Sequence, residues 1–410
     1  MIRSTPRRFN VAPVILIGLM LPLLFISACC GGATKGDALG GTVKTLDPQA
    51  EEIHFVNGHT ILEGTLFWPG AKTNCPAVVI LAGSDRSKRG PLRTRIAKHF
   101  AAHNVAALVY DSPGTGASTG TAIFQTRRDR VIEALSAVDY LREVPGIRST
   151  AVGLFGGSEG ADVALLAAAE APHVAFVIAV SGAMGVSILD VLRYSAEKKG
   201  HQQDLTLDET MKAITFKEIA FVFLSGIEIV EWSLIEARVK QWKEDNWTTL
   251  IGLAKQRNRK QSQQQQQAML SSFRQVIDQF KNQRWFSSVD DGNAIQRMAN
   301  LDADKFFKIL EGGRYTQDWD RGLCDVARIR CPVLAIWGLE DSFLPPNQSA
   351  MRLKKALAES NHPDYEIKVF PNASHTLTVP GSATEFVPGY LETMTHWLEM
   401  HVDSGGVGEP

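Results

Sequence analysis

Four short apolar runs, at residues 77–81, 105–110, 151–155 and 174–180, punctuate the first half of the chain without a polar interruption. Runs of that length with no alternation are expected of strands buried on both faces of a parallel sheet. Between them, residues 91–103, 122–143 and 161–169 carry helical spacing, the first opening on Pro91. A β-hairpin precedes them, with arms at 52–55 and 60–67 around the turn dipeptide Asn57-Gly58. The rhythm breaks near Gly185. From 185 to 328 no buried strand is expected, only helices at 186–198, 209–220, 222–242 and 269–280. Alternation returns with a strand at 332–337, a helix at 348–358, a strand at 365–370 and a helix at 383–401. The pattern predicts an α/β protein with a mostly parallel sheet flanked by helices. The sheet domain has two parts, 51–184 and 329–402, and a large helical cap (185–328) is inserted between them, over the strand ends where such sheets bind ligands.

The N-terminus reads differently. Arg3, Arg7 and Arg8 precede an apolar run at 11–26, which is short for a membrane span and broken by Pro13 and Pro22. This predicts a secretory signal over 1–28. Ile26-Ser27-Ala28-Cys29 resembles a bacterial lipobox, which makes Cys29 the expected lipidation site; an ordinary signal peptide is the alternative. Cys30 in the next position, where aspartate would favour inner-membrane retention, points to an outer-membrane or cell-surface destination. A glycine-rich tether (29–50) would then hold the body off the membrane, and 403–410 reads as a disordered tail. With 43 basic and 44 acidic residues the charge is balanced, which argues against a nucleic-acid partner. Cys75, Cys324 and Cys331 remain in the body, and a Cys324–Cys331 disulfide is compatible with an oxidising compartment. No histidine pair at helical spacing comes with a neighbouring acid, so neither a metal nor a cofactor is expected. The glutamine run 263–267 reads as a solvated helix face or spacer.

The chemistry centres on Gly156-Gly157-Ser158-Glu159-Gly160, between the strand at 151–155 and the helix at 161–169. It fits the G-x-S-x-G elbow, which presents a nucleophilic serine on a tight strand-to-helix turn. A glycine-rich turn with an incidental serine is the bland alternative. Serine needs a base, and the base needs an orienting acid. Asp341 follows the strand at 332–337 and His375 follows the strand at 365–370, in the order serine, acid, histidine. Glu340 is the second candidate acid. His362 lies on the opposite sheet edge, and His103, His396 and His401 on helices. An oxyanion hole is expected from the backbone N–H groups of Glu159 and Ser84, with Gly83 allowing close approach. Arg86, Lys88 and Arg89 read as a solvated basic loop, with attraction of an anionic substrate as the alternative, and Asp111 as the organiser of the turn 111–116.

These segments together resemble bacterial α/β-hydrolases of the esterase type related to dienelactone hydrolases and serine aminopeptidases. The resemblance rests on Ile80–Ser84, Tyr110–Gly120, Gly153–Gly160, Cys331–Gly338 and Phe370–His375. It implies Ser158 as nucleophile, Asp341 as acid and His375 as base; it does not extend over 185–320. Gly157 stands where such enzymes often carry histidine, and the loop after Ser84 is more basic than usual. The expected activity is hydrolysis of small-molecule carboxylic esters through an acyl-enzyme, on a body anchored to a membrane by lipid. A peptidase or acyl thioesterase using the same three residues, and a non-catalytic surface binding protein, are the alternatives. Oligomeric state is not legible.

Overall fold

The computed structural model describes residues 49–402 apart from 86, 123–124, 228–229, 291–293 and 313–325. The leader, Cys29, most of the tether, Arg86, Cys324 and the tail from 403 lie outside the described residues. Gln49–Asn57 (β1) and Thr60–Trp68 (β2) form the expected hairpin, longer at both ends, with Gly58 at φ 60° in its turn. The segment read as tether therefore already pairs at Gln49. Cys75–Leu81 (β3), Pro91–Ala102 (α1), Ala106–Tyr110 (β4), Arg127–Glu143 (α2), Ile147–Gly157 (β5), Glu159–Glu170 (α3) and Val177–Val180 (β6) continue the alternation. Several boundaries move. α2 starts at Arg127 rather than 122, because Thr126 and Asp129 form a reciprocal capping box. β6 is shorter than the apolar run that predicted it, although Ala175 N still donates to Val152 O.

The eight-stranded sheet has the order β1-β2-β4-β3-β5-β6-β7-β8, completed by Val333–Gly338 (β7) and Tyr365–Phe370 (β8). Only β2 runs against the rest. β3 and β7 are buried along their whole length, as expected of strands covered on both faces. One apolar cluster, including Leu108, Leu154 and Trp337, lies under one face of the sheet; another, including Phe100, Phe155 and Trp397, lies under the other.

Between β6 and β7 the regular structure of the described residues is all helical. Ile188–Gln202 (α4), Leu207–Ser225 (α5), Trp232–Val239 (α6), Asp245–Gln256 (α7), Gln263–Phe280 (α8), Ala294–Ala299 (α9) and Ala303–Gly312 (α10) form this insertion. α5 runs unbroken through the point where two helices were expected; the break comes at Gly226, in the left-handed conformation at φ 72°. The glutamine run is the largely exposed first part of α8, capped by Ser262. The insertion has its own core, in which Trp247 packs on Trp242, Phe280 and Trp285. Inside it Glu218 is fully buried, bonded to Arg193 at 2.9 Å and paired with Arg238 at 3.0 Å. A small fourth cluster joins insertion to sheet: Ile188 and Val191 from α4, Phe221 from α5, and Leu344 from the loop after β7. Within α5, Phe223 packs into the insertion's own core, whereas Phe221 faces this seam.

The turn where the insertion leaves the sheet is pinned from several sides. Asp162 accepts from Met184 N, Trp337 Nε1 donates to Gly182 O, and Ser349 Oγ donates to Ala183 O. Pro346–Glu359 (α11) and Tyr390–Val402 (α12) close the fold. α12 begins later than predicted. Residues 383–389 form an irregular segment that pairs Phe386 with Thr378 and ends at Gly389, at φ 81°.

His99 on α1 gives a pH handle on stability. Burial, and then the neighbouring His103, depress its pKa from 6.5 to about 4. Its neutral form is favoured in the fold, so this contribution is complete above about pH 6.5 and is lost as pH falls toward 4. Denaturant titrations should therefore show a His99→Phe variant losing less stability than wild type between pH 7 and pH 4.5. Equal losses would exclude His99 as the sensitive group.

Candidate active site

β5 ends in a bend that ordinary residues avoid. Ser158 has φ 55° and ψ −127°, in a sparsely populated region that marks stored backbone strain. It is held there by Ser158 N donating to Val180 O at 2.8 Å and by Ala161 N donating to Ser158 O at 2.9 Å. The outer glycines are obligatory for space. A Cβ on Gly156 would stand 2.0 Å from Gly160 O, and one on Gly160 would stand 2.6 Å from Ala82 O. Gly157 is different: a Cβ there meets nothing within 4 Å, so glycine is not sterically required at the inner position. α3 starts immediately, which places the backbone N–H of Glu159 at the positive end of a helix.

Asp341 and His375 come together from adjacent strand ends. Asp341 is fully buried; its Oδ1 accepts from Phe343 N at 2.7 Å and Leu344 N at 3.0 Å. Its Oδ2 lies 2.6 Å from His375 Nδ1. A carboxylate on Nδ1 fixes that nitrogen as the proton donor and leaves Nε2 as the basic one. His375 is 6% exposed, packed against the edge of Phe343, and its Nε2 has no hydrogen-bond partner among the described residues. Ser158 and His375 therefore share no hydrogen bond in this structure. The closeness of the two loops depends on Gly338, where a Cβ would stand 2.3 Å from Ser374 O and 2.4 Å from Ala373 O. Glu340, the second candidate acid, instead pairs with Lys198 of α4 at 2.8 Å.

On the other side of Ser158 runs the loop after β3. A Cβ built on Gly83 would lie 3.5 Å from Ser158 Cβ, so this loop passes directly beside the serine. Ser84 is buried, and its Oγ lacks a partner. The basic reading of the loop needs correction at Arg89. Its backbone N and side chain bind Asp111, and its Nη1 reaches Glu52 and Thr65, both at 2.6 Å. Arg89 is thus a structural cross-link rather than a solvated charge, while Lys88 is exposed. Asp111 does organise its turn, accepting also from Ala117 N at 3.1 Å. Burial pushes its carboxyl upward, but the Arg89 backbone and side-chain bonds outweigh that and leave it below its usual value.

Three residues went unread in the sequence. Tyr194 of α4 donates to Asp341 O at 2.6 Å, and burial, then Asp341, push its hydroxyl well up from the usual range. Lys198, one turn further on, makes the ion pair with Glu340. Arg130 of α2 is buried against Ala82 and Glu159. None belongs to a local motif; each acts across a distance in sequence. A cleft of about 430 Å³ opens at the seam beside Tyr194, Lys198 and Glu340, with neither Ser158 nor His375 in its lining. Among the described residues no group of three metal-ligating side chains converges. His362, His396 and His401 stay away from this site: His401 bonds Asp364 at 3.1 Å, His362 Nδ1 accepts from Asp364 N, and His396 sits beside Glu399 on α12.

A mostly parallel sheet with the order seen here, carrying a strained serine between strand and helix, defines an α/β-hydrolase. A family model described as X-Pro dipeptidyl-peptidase (S15 family) matches residues 57–375, and the chain belongs to that family. A curated relative, the polyketide transferase grgF of a Penicillium species, is 34% identical over 141 residues, covering 34% of this chain. The chain spans 47% of that relative's length. Among solved structures, the α/β hydrolase GrgF from Penicillium is 18% identical over 87% of this chain and all of its own, with TM-score 0.49. The Pyrococcus furiosus esterase Pf2001 is 16% identical over 89% of this chain and 96% of its own, with TM-score 0.47.

Gly338 offers a direct test of the loop geometry. A Gly338→Ala side chain forces two backbone carbonyls away and moves His375 with them. Because misplacement of about 1 Å can cost about 100-fold, kcat on an activated ester should fall at least about 10-fold while the variant remains folded by circular dichroism. An unchanged kcat would show that this contact does not set the His375–Asp341 separation.

Proposed function

We propose that the protein is a serine hydrolase that cleaves carboxylic esters through an acyl-enzyme. The observation that carries this reading is the 2.6 Å contact between Asp341 and His375, on the same edge of the sheet as the strained Ser158. In this mechanism Ser158 Oγ attacks the carbonyl as His375 Nε2 takes its proton. Asp341 holds the imidazole and stabilises its cation. The N–H groups of Glu159 and Ser84 receive the oxyanion, each such donor contributing about 3 kcal/mol in the transition state. His375 then protonates the leaving alcohol, and water releases the acyl group by the reverse path.

A second reading, peptide hydrolysis, is favoured by the family match. Release of an N-terminal dipeptide requires a carboxylate to receive the substrate's ammonium group. Among the described residues, three acids near the site are already engaged: Glu159 with Arg130, Glu340 with Lys198, and Asp341 with His375. Asp85, exposed on the loop that passes Ser158 and bonded to Ser87, is the remaining candidate to meet an ammonium group. With most of these carboxylates committed to the protein, an ester is the preferred substrate over an aminoacyl amide. Incubation with a fluorophosphonate should add its mass to Ser158 and to nothing in a folded Ser158→Ala variant. Absence of labelling on the folded wild type would refute the mechanism. Parallel panels of esters, thioesters and aminoacyl-prolyl amides should then rank esters first.

We also propose export and lipid anchoring at Cys29, supported by the leader and lipobox of residues 1–29. Growth of a bacterial host with an alkyne fatty acid should label the full chain, and Cys29→Ala should abolish the label. Equal labelling of both would remove Cys29 as the anchor.

A further inference from the structure

Arg130 sits on α2, away from the elbow and from the loop after β3 in sequence, and it touches both. Its side chain is 5% exposed. Nη2 donates to Ala82 O at 2.5 Å, and Nη1 lies 3.0 Å from Glu159 Oε2. The second contact is an ion pair and not an aligned hydrogen bond, because Nη1 meets no acceptor in hydrogen-bond geometry. Charge attraction, in a setting where Glu159 is also buried, holds the carboxylate.

The two groups so joined bracket the oxyanion donors of the proposed mechanism. Glu159 supplies one donor through its own backbone N–H. Ala82 lies two residues before Ser84, the source of the other. The Ala82 carbonyl is confined further by Gly160, whose absent side chain leaves it the space it occupies. A planar fork with two fixed nitrogens is suited to spanning a carbonyl and a carboxylate at once, which a single ammonium cannot do. We propose that Arg130 is a positioning residue that sets the spacing between the Ser84 and Glu159 donors. It touches no substrate. It acts by fixing two backbone segments that approach Ser158 from different strands.

The inference rests on the serine-hydrolase reading, and the tests separate the two. Wild type is assayed first with p-nitrophenyl butyrate and a fluorophosphonate. If neither reacts, both the mechanism and the role of Arg130 fall together. If wild type is active, Arg130→Lys should leave KM within about 2-fold and lower kcat about 10–100-fold, the range expected for misplaced donors. Inhibition by a trifluoromethyl ketone, whose adduct carries the oxyanion, should weaken in the same proportion. A kcat equal to wild type would overturn the proposal while leaving the mechanism standing. A purely structural role for the pair predicts something else again. In Arg130→Met/Glu159→Met both buried charges are gone, so stability should recover toward wild type. If kcat recovers with it, the pair only neutralises charge and Arg130 positions nothing. If stability returns and kcat stays low, the spacing role holds, and this comparison remains decisive should Arg130→Lys fail to fold.

Discussion

The hydrogen bond between Asp341 and His375 is the interaction on which the site's architecture turns. It joins the loops after β7 and β8, and it requires a fully buried carboxylate. Burying that charge is unfavourable unless its lone pairs are occupied. The chain meets the demand locally, with two backbone N–H groups on Oδ1 and the imidazole on Oδ2. Gly338 brings the two loops within reach by having no side chain between them. The parallel sheet matters because it delivers these loops, and the elbow of β5, to one edge.

The insertion is tied to the same loop. Tyr194 binds the backbone of Asp341, Lys198 binds Glu340, and the Lys199 ammonium lies 5.1 Å from the ring of Phe343, which in turn packs on His375. α4 therefore rests on the acid loop through three positions on adjacent turns. Leu344, from that loop, contributes to the apolar seam with Phe221 and Val191. The Tyr194 bond is neutral and part-buried, so it is less exposed to salt than the Lys198–Glu340 pair.

What the sequence made legible follows from range. Strands buried on both faces advertise themselves as unbroken apolar runs, and β3, β4 and β7 fall almost where the runs do. The elbow is legible because its glycines answer a local clash. Thr126 and Asp129 were equally local, and the start of α2 was misplaced because their capping pattern went unused. α5 is harder: from Ala213 to Ser225 every residue is buried, so no polar face marks its period, and only Gly226 ends it. Polar side chains were misread or missed for a different reason. Arg89 finds Asp111 22 residues away, Arg130 finds Ala82 48 away, and Tyr194 finds Asp341 147 away. A charge whose partner lies that far off looks like a solvated one until the fold brings the two together.

That difference explains why the chain declares its reaction class more readily than its substrate. The groups proposed to perform acyl transfer lie on strand ends, and strand ends are local features. Substrate choice depends on what faces them, and here the surrounding charges are spent on the protein itself. Glu159 serves Arg130, Glu340 serves Lys198, and Arg89 serves Asp111 and Glu52. These paired ions have little left to recognise a charged group on a ligand, which leaves that role to the exposed Asp85 and Lys88 of the loop after β3. Discrimination among neutral groups falls to shape and apolar contact, where one methylene is worth only about 1–3 kcal/mol. Phe343 packs on His375, and Phe221 and Leu344 continue the same apolar seam between the insertion and the acid loop. On these grounds selectivity among neutral acyl groups should be graded rather than absolute, and set by how α4 and α5 rest on the loop that carries Asp341.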